Sequence, residues 1–100
     1  MLAFPLRLVY VAVEENASGA PVSLLISVPK KRFRRAVKRN RVKRQIREAY
    51  RRNKYILLDP VNRKGRHLIM GIIWLGDELL PTADVEKCLV NLLHRLAERI

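Results

Sequence analysis

The segment from Lys30 to Lys54 constrains this chain more than any other, because it combines a very high positive charge with apolar residues at helical spacing. It contains 14 Lys and Arg residues and one acid, Glu48, which gives a local charge of +13. The rest of the chain has 7 basic and 8 acidic side chains, so the whole excess of a +12 protein lies in this quarter of the sequence. Disordered basic tails are depleted in apolar residues, so we predict a folded element that binds a polyanion.

A helix with two different faces is predicted in this segment, from about Arg39 to about Leu58. At about 100° per residue, one stripe faces the core; its residues are Val42, Ile46, Ala49, Tyr50 and Asn53. A second stripe is polar and mostly cationic; its residues are Asn40, Lys43, Arg44, Arg47, Arg51 and Lys54. Like charges four residues apart oppose helix formation by about 0.2–0.5 kcal/mol per pair. A cationic stripe without interleaved acids therefore indicates contact with phosphate groups.

The N-terminal third of the chain predicts two strands. Leu6–Val13 and Val22–Val28 are rich in β-branched and other apolar residues, and we expect them to pair as an antiparallel hairpin. Residues 14–21 contain Asn, Ser, Gly and Pro and predict the connecting loop. Residues 30–38 then form a basic connection, in which Ala36 and Val37 make a short strand or bend.

The C-terminal half predicts one more strand and a closing helix. Pro60 and Gly65 indicate a loop over residues 59–67, and the apolar run from His67 to Leu75 predicts a central strand buried on both faces. Thr82 is the predicted cap of the last helix. The apolar stripe of that helix is Val85, Cys88, Leu89, Leu92, Leu93, Leu96 and Ile100. The predicted order is β-β-α-β-α, an α+β sandwich with helices over the sheet, in one domain spanning residues 1–100.

The sequence predicts neither a catalytic group nor a metal site. The acids are scattered, His67 and His94 stand far apart, and a lone cysteine, Cys88, excludes an intramolecular disulfide and a cysteine-based zinc site. We therefore expect a reducing, cytoplasmic compartment. The apolar run Leu68–Leu75 has eight residues against the roughly 20 of a membrane-spanning helix, so no membrane association is expected.

A 22-residue motif within the basic segment carries a family resemblance. Residues 30–51 read KKRFRRAVKRNRVKRQIREAYR, and this closely resembles the RNR motif of the bacterial ribonuclease P protein family, K-K…A-(V/H)-x-R-N-R-(I/V)-K-R-x-x-R-E-(A/S)-(F/Y)-R. The resemblance implies a two-layer α/β sandwich like the second domain of ribosomal protein S5. It also implies a left-handed β-α-β crossover around the basic helix, against the usual right-handed rule. Family members usually begin with a helix before the first strand, and we expect that helix to be missing here.

The same resemblance implies a function in a ribonucleoprotein. An RNA subunit carries out Mg²⁺-dependent removal of the 5′ leader of precursor tRNA, with Mg²⁺ held by RNA and substrate, and a monomeric protein assists. The residues implied to contact RNA are Lys30, Lys31, Arg34, Arg35, Lys38, Arg39, Asn40, Arg41, Lys43, Arg44, Arg47, Arg51 and Lys54. Arg7 and Tyr10, on the first strand, are implied to contact the leader. For Tyr10 a half-buried core position is the alternative, whereas Phe33 and Trp74 are predicted core residues.

Three other functions are compatible with parts of the sequence. A ribosomal protein or general RNA chaperone has the same composition, and the nearly complete RNR motif argues against it. A helix-turn-helix DNA-binding protein needs a helix before the basic helix, where a strand is predicted. A protein-only nuclease needs carboxylates or a histidine pair in a motif, which this sequence lacks.

Overall fold

The computed structural model describes residues 1–14 and 19–100, and in them it shows the α+β sandwich that the sequence predicts. The four strands are β1 (Leu2–Ala3), β2 (Leu6–Val13), β3 (Val22–Ser27) and β4 (His67–Trp74). The three helices are α1 (Ala36–Asn53), α2 (Tyr55–Arg63) and α3 (Thr82–Arg99). The loop predicted over residues 14–21 falls partly outside the described residues.

The strand β4 lies between β2 and β3 in the sheet, so the predicted hairpin of the first two long strands is wrong. The strand order is β1-β2-β4-β3. All eight residues of β4 pair antiparallel with β2, and six of them pair parallel with β3. The most apolar strand gains most from a central position, because both of its edges are then hydrogen-bonded and shielded from water. β3 and β4 thus form a parallel β-α-β unit through α1 and α2, as the family resemblance implies, and the hand of its crossover stays a prediction.

Among the described residues, helices cover one face of the sheet only, which corrects the expectation that β4 is buried on both faces. Leu68, Met70, Ile72 and Trp74 have no accessible surface, whereas the residues between them are half-buried. The buried set contacts apolar residues of all three helices in one core. The other face of β4 has no helix of the described residues over it, so the strand alternates between buried and accessible side chains.

The predicted basic helix is two helices that meet at Lys54. α1 begins at Ala36, where a short strand or bend was expected, and α2 occupies the first part of the predicted loop with Pro60 inside it. Leu57 and Val61 are fully buried and four residues apart, so packing holds this turn in helical form despite the proline. The chain leaves α2 at Gly65, whose φ of 62° is the left-handed conformation that ends helices.

The start of α3 differs from its prediction, whereas the packing beneath it agrees. Pro81 is the residue before the helix, and the Thr82 hydroxyl accepts a hydrogen bond from Gln45 instead of capping the helix. The predicted core residues Phe33 and Trp74 are both buried, with ring centroids 6.4 Å apart. Cys88 is only half-buried, at the edge of the apolar stripe of α3. None of the helices in the described residues is long and apolar enough to cross a membrane.

Candidate nucleic-acid interface

α1 buries one side and presents a cationic side to solvent, as its sequence pattern predicts. Val42, Ile46 and Ala49 are buried against the sheet and α3, and Tyr50 and Asn53 are half-buried beside them. We call the opposite stripe the basic face; it consists of Asn40, Lys43, Arg44, Arg47, Arg51 and Lys54. Asn40 and the three arginines are exposed, and the two lysines are half-buried. The core contacts of α1 therefore fix the direction in which its cations point.

Two arginines of the basic face have no acidic partner in the described residues. Arg44 and Arg47 are exposed and take part in none of the ion pairs there. Arg51 differs, because its guanidinium forms a two-bonded pair with Glu48 at 3.0 Å and 2.5 Å. That hydrogen bond, together with the charges of Arg51 and Arg52, holds the pKa of Glu48 below its ordinary value. One acid therefore does relieve the cationic stripe at its C-terminal end, so the strongest uncompensated charge lies at Arg44 and Arg47.

The connection before α1 contributes exposed cations and one structural arginine. Lys30, Lys31, Arg34, Arg35, Lys38 and Arg41 are all exposed, so each is available to a partner. Arg39 is half-buried, and its Nη1 donates to the carbonyl oxygens of Phe33 and Arg34, both at 2.8 Å. Since α1 has no side-chain cap at its first turn, these two bonds hold the turn that leads into the helix. Arg39 thus shapes the basic surface in addition to its predicted RNA contact.

Gln45 and Asn53 connect the basic helix to α3. The sequence pattern did not single out Gln45, and it placed Asn53 in the core-facing stripe without assigning it a partner. Gln45 is buried, and its Nε2 donates to the carbonyl oxygen of Leu80 at 3.0 Å and to the Thr82 hydroxyl at 3.1 Å. Asn53 donates from Nδ2 to Glu86 Oε2 at 3.0 Å. A signal was present for Gln45, which lies three residues after Val42 and so falls at the margin of the apolar stripe.

The face of the sheet away from the helices is an apolar surface, which we call the open sheet face. Its exposed apolar side chains include Leu2, Val9, Val11 and Leu25, which are 54%, 42%, 53% and 64% exposed. Gly71 lies among them without a side chain, and a methyl group there would stand 3.1 Å from Val9 Cγ2. The missing side chain leaves a shallow depression in the middle of this face, lined by Val9, Val11, Leu25, Ile69 and Gly71. Tyr10 borders it as well, although strand alternation directs its side chain to the other side of the sheet.

The structure does not bring the two predicted leader residues together. Arg7 pairs with Ile73 across β2 and β4, whereas Tyr10 pairs with Met70. Directly opposed residues project to the same side of a sheet. Because Met70 is buried beneath the helices, Arg7 belongs to the open sheet face and Tyr10 to the helix side, where it is 39% exposed.

Comparison with known proteins places this architecture in a family. The family described as Ribonuclease P matches residues 3–97, a range that contains the basic face and the open sheet face. The chain belongs to the ribonuclease P protein family. It is 43% identical over 99 residues to the "Ribonuclease P protein component" of two strains of Porphyromonas gingivalis, with 99% of this chain and 72% of each relative covered. The protein of that name from Chlorobaculum tepidum is 48% identical over 59 residues, covering 56% of this chain and 38% of the relative. No solved structure matches the chain.

The titratable side chains of this ribonuclease P family member are dispersed. No group of three His, Cys, Asp or Glu residues within ranges 1–14 and 19–100 is placed to hold a metal ion. The Nδ1 of His67 lies 3.4 Å from the carbonyl oxygen of Ala20, and His94 is an exposed residue of α3. Burial and the nearby Asp84 raise the pKa of the Cys88 thiol, which makes its thiolate scarce at neutral pH.

Proposed function

We propose that this chain is the protein subunit of a bacterial ribonuclease P, the endoribonuclease that removes the 5′ leader of precursor tRNA. The observation that carries the proposal is the pair Arg44 and Arg47, exposed on the basic face without ion-pair partners in the described residues. They stand on a helix whose other side is buried, in a chain that belongs to the ribonuclease P protein family.

The basic face contacts the RNA subunit in this proposal. Each cation that neutralises a phosphate releases condensed counterions, so affinity falls steeply as salt rises. Arginine donates two parallel hydrogen bonds to one phosphate, which lysine cannot do. Asn40 adds a donor and an acceptor at the N-terminal end of the face. The 13 residues predicted to contact RNA thus have different roles, with Arg39 and Arg51 partly engaged within the protein.

The open sheet face contacts the precursor's 5′ leader. A single-stranded segment presents bases that bind apolar surface and phosphates that bind cations. Val9, Val11 and Leu25 supply exposed apolar surface, and Arg7 supplies a cation on the same face. The position of Tyr10 on the helix side makes Arg7 the better supported of the two predicted leader contacts.

Cleavage is assigned to the RNA subunit, with Mg²⁺ held by that RNA and the substrate. The protein's contribution is charge: a +13 segment replaces part of the cation load that folded RNA needs from Mg²⁺. A monomeric protein within a ribonucleoprotein and a cytoplasmic location belong to the same proposal.

Reconstitution with the RNase P RNA of Porphyromonas gingivalis tests this proposal. The protein alone should leave precursor tRNA intact at every Mg²⁺ concentration, and protein plus RNA should remove the leader at a lower Mg²⁺ concentration than RNA alone. A double variant, Arg44→Gln with Arg47→Gln, should lose much of this effect, while Arg99→Gln on the end of α3 should keep it. Cleavage by the protein alone would overturn the assigned roles. Equal binding to unrelated structured RNA, without any effect on cleavage, would favour a general RNA chaperone.

A further inference from the structure

Tyr55 is a large aromatic residue left exposed at the point where the basic face of α1 ends. It is 62% exposed, and it follows Arg47 by eight residues and Arg51 by four. Lys54, between the two helices, keeps helical angles of φ −58° and ψ −28°. Residues four apart in helical backbone lie on the same side, so the helical angles at Lys54 place Tyr55 on the side of the chain that carries Arg51.

The ring of Tyr55 is partly positioned by a cation. The Nζ of Lys54 lies 5.5 Å from the ring centroid, a cation–π contact. The ring also borders a depression between α2 and α3 that contains both Arg63 and two acids, Asp59 and Glu98. The two carboxylates outnumber the one arginine there, so the depression disfavours phosphate groups. A nucleic acid at this point therefore keeps its phosphates along α1 and can reach the ring with a base.

The other exposed aromatic residues of the described chain have different surroundings. Phe4 is 69% exposed, but it lies in a depression with Asp77 and Glu78, whose charges repel a polyanion. Tyr10 is less exposed, at 39%, and lies on β2 rather than in the row of cations on α1. Tyr55 is thus the exposed ring that a strand bound along α1 would meet.

We infer that Tyr55 stacks on an unpaired base of the RNA bound by the basic face. Single-stranded RNA is recognised largely through bases splayed onto aromatic side chains, while neighbouring cations follow its phosphates. The inference rests on the proposed function, and it adds a base contact to a surface that otherwise binds phosphates.

Salt-dependent affinity distinguishes stacking from charge. Binding to the folded RNase P RNA of Porphyromonas gingivalis is measured over a series of salt concentrations for the wild type, Tyr55→Leu, Tyr55→Phe and Arg47→Gln. Loss of one stacked base should weaken binding of Tyr55→Leu by roughly 5- to 150-fold with an unchanged salt slope. Arg47→Gln should instead lower the magnitude of the slope by about 1. Tyr55→Phe retains the ring and should bind within about twofold of the wild type.

The outcomes separate this inference from the proposed function. Wild-type affinity in Tyr55→Leu, together with weakened binding of Arg47→Gln, would overturn the stacking contact and leave the function standing. Equal weakening of the Phe and Leu variants would also overturn it, because the hydroxyl and not the ring would then matter. A wild type that does not bind this RNA would overturn the function and the inference together. Circular dichroism confirms that each variant is folded, and Tyr55→Trp, which should bind at least as tightly as the wild type, tests the contact should Tyr55→Leu unfold.

Discussion

The Nη1 of Arg39 lies 2.8 Å from the carbonyl oxygen of Phe33, and this bond ties the basic helix to the hydrophobic core. Phe33 is buried beside Trp74, so the position of its backbone is fixed by packing. Arg39 reaches back from the first turn of α1 to that fixed point and to the carbonyl oxygen of Arg34. An arginine of the RNR motif thus orients the surface on which the other arginines are displayed.

Replacing Arg39 should therefore destabilise the fold, unlike replacing its exposed neighbours. We expect Arg39→Ala to lower the free energy of unfolding by about 1–2 kcal/mol, because hydrogen bonds to a charged donor are lost at a partly buried site. Arg44→Ala, which removes an exposed side chain without a partner in the described residues, should change it by less than about 0.5 kcal/mol. Urea denaturation followed by circular dichroism measures both. Equal midpoints for the two variants would show that Arg39 has no structural role.

The pair of Glu48 and Arg51 predicts a specific pH dependence of stability. The hydrogen bond from Arg51 lowers the folded-state pKa of Glu48 below its ordinary value of 4.5. A lowered folded-state pKa adds stability above the unfolded-state pKa, and this contribution is lost as the pH falls through the folded-state value. Wild type should thus be more stable than Glu48→Gln at pH 7 and converge with it in acid below pH 4.5. Thermal unfolding across this range checks the trend, and a constant difference at all pH values would contradict it. Arg51→Gln should show the same convergence.

The same pair limits RNA binding in the proposed complex. Glu48→Gln removes a negative charge beside the basic face and releases the guanidinium of Arg51 for a phosphate. We expect tighter binding to RNase P RNA and a salt slope whose magnitude rises by about 1. Glu14→Gln changes the net charge equally at an exposed position just after β2, away from α1 and from Tyr55, and should leave the slope as it is. A weaker complex of Glu48→Gln would mean that Glu48 positions Arg51 for RNA.

Local periodicity was enough to predict the two faces of α1, because side-chain direction in a helix follows from residue spacing alone. Val42, Ile46 and Ala49 are buried and Arg44 and Arg47 are exposed, as the spacing predicts. The partner of a strand does not follow from its own residues. The alternation in Val22–Ser27 suits pairing with either β2 or β4, and only the need to bury β4 in the middle of the sheet decides it.

The misplaced loop and the missed contacts have tertiary causes as well. Pro60 is a strong loop signal, yet the burial of Leu57 and Val61 outweighs it. Arg39 and Gln45 look like surface polar residues in the sequence, because their hydrogen-bond acceptors at Phe33 and Leu80 come near them only in the folded chain. Exposure on the basic face was predictable, whereas the division between structural and free cations was not.

The buried side of α1 predicts a large loss of stability on a single substitution. Ile46 has no accessible surface in the core between the sheet and the helices. Ile46→Asp would place a carboxylate there without a partner, at a cost of several kcal/mol, and a domain of this size has only about 5–15 kcal/mol of stability. Circular dichroism during urea denaturation should show a much lower midpoint or an unfolded chain. The neighbouring Arg47→Asp should remain folded, and a similar midpoint for both variants would mean that α1 is oriented differently.

Substitutions of opposite charge on the open sheet face test whether the leader contacts it, because leader phosphates should respond to them in opposite ways. Val11 is 53% exposed there, so a charged side chain can replace it with little loss of stability. Val11→Glu should repel leader phosphates, and Val11→Lys should attract them. In the reconstituted enzyme we therefore expect the preference for leader-bearing precursor over mature tRNA to fall with Glu and to hold or rise with Lys. Affinity for the RNA subunit, which depends on α1, should stay the same in both. The matched control is Phe4→Glu, at the 69% exposed Phe4 between β1 and β2, which lies beside α3 and near Asp77 and Glu78, outside this face. Equal preferences in the Glu and Lys variants would show that the leader does not contact the open sheet face.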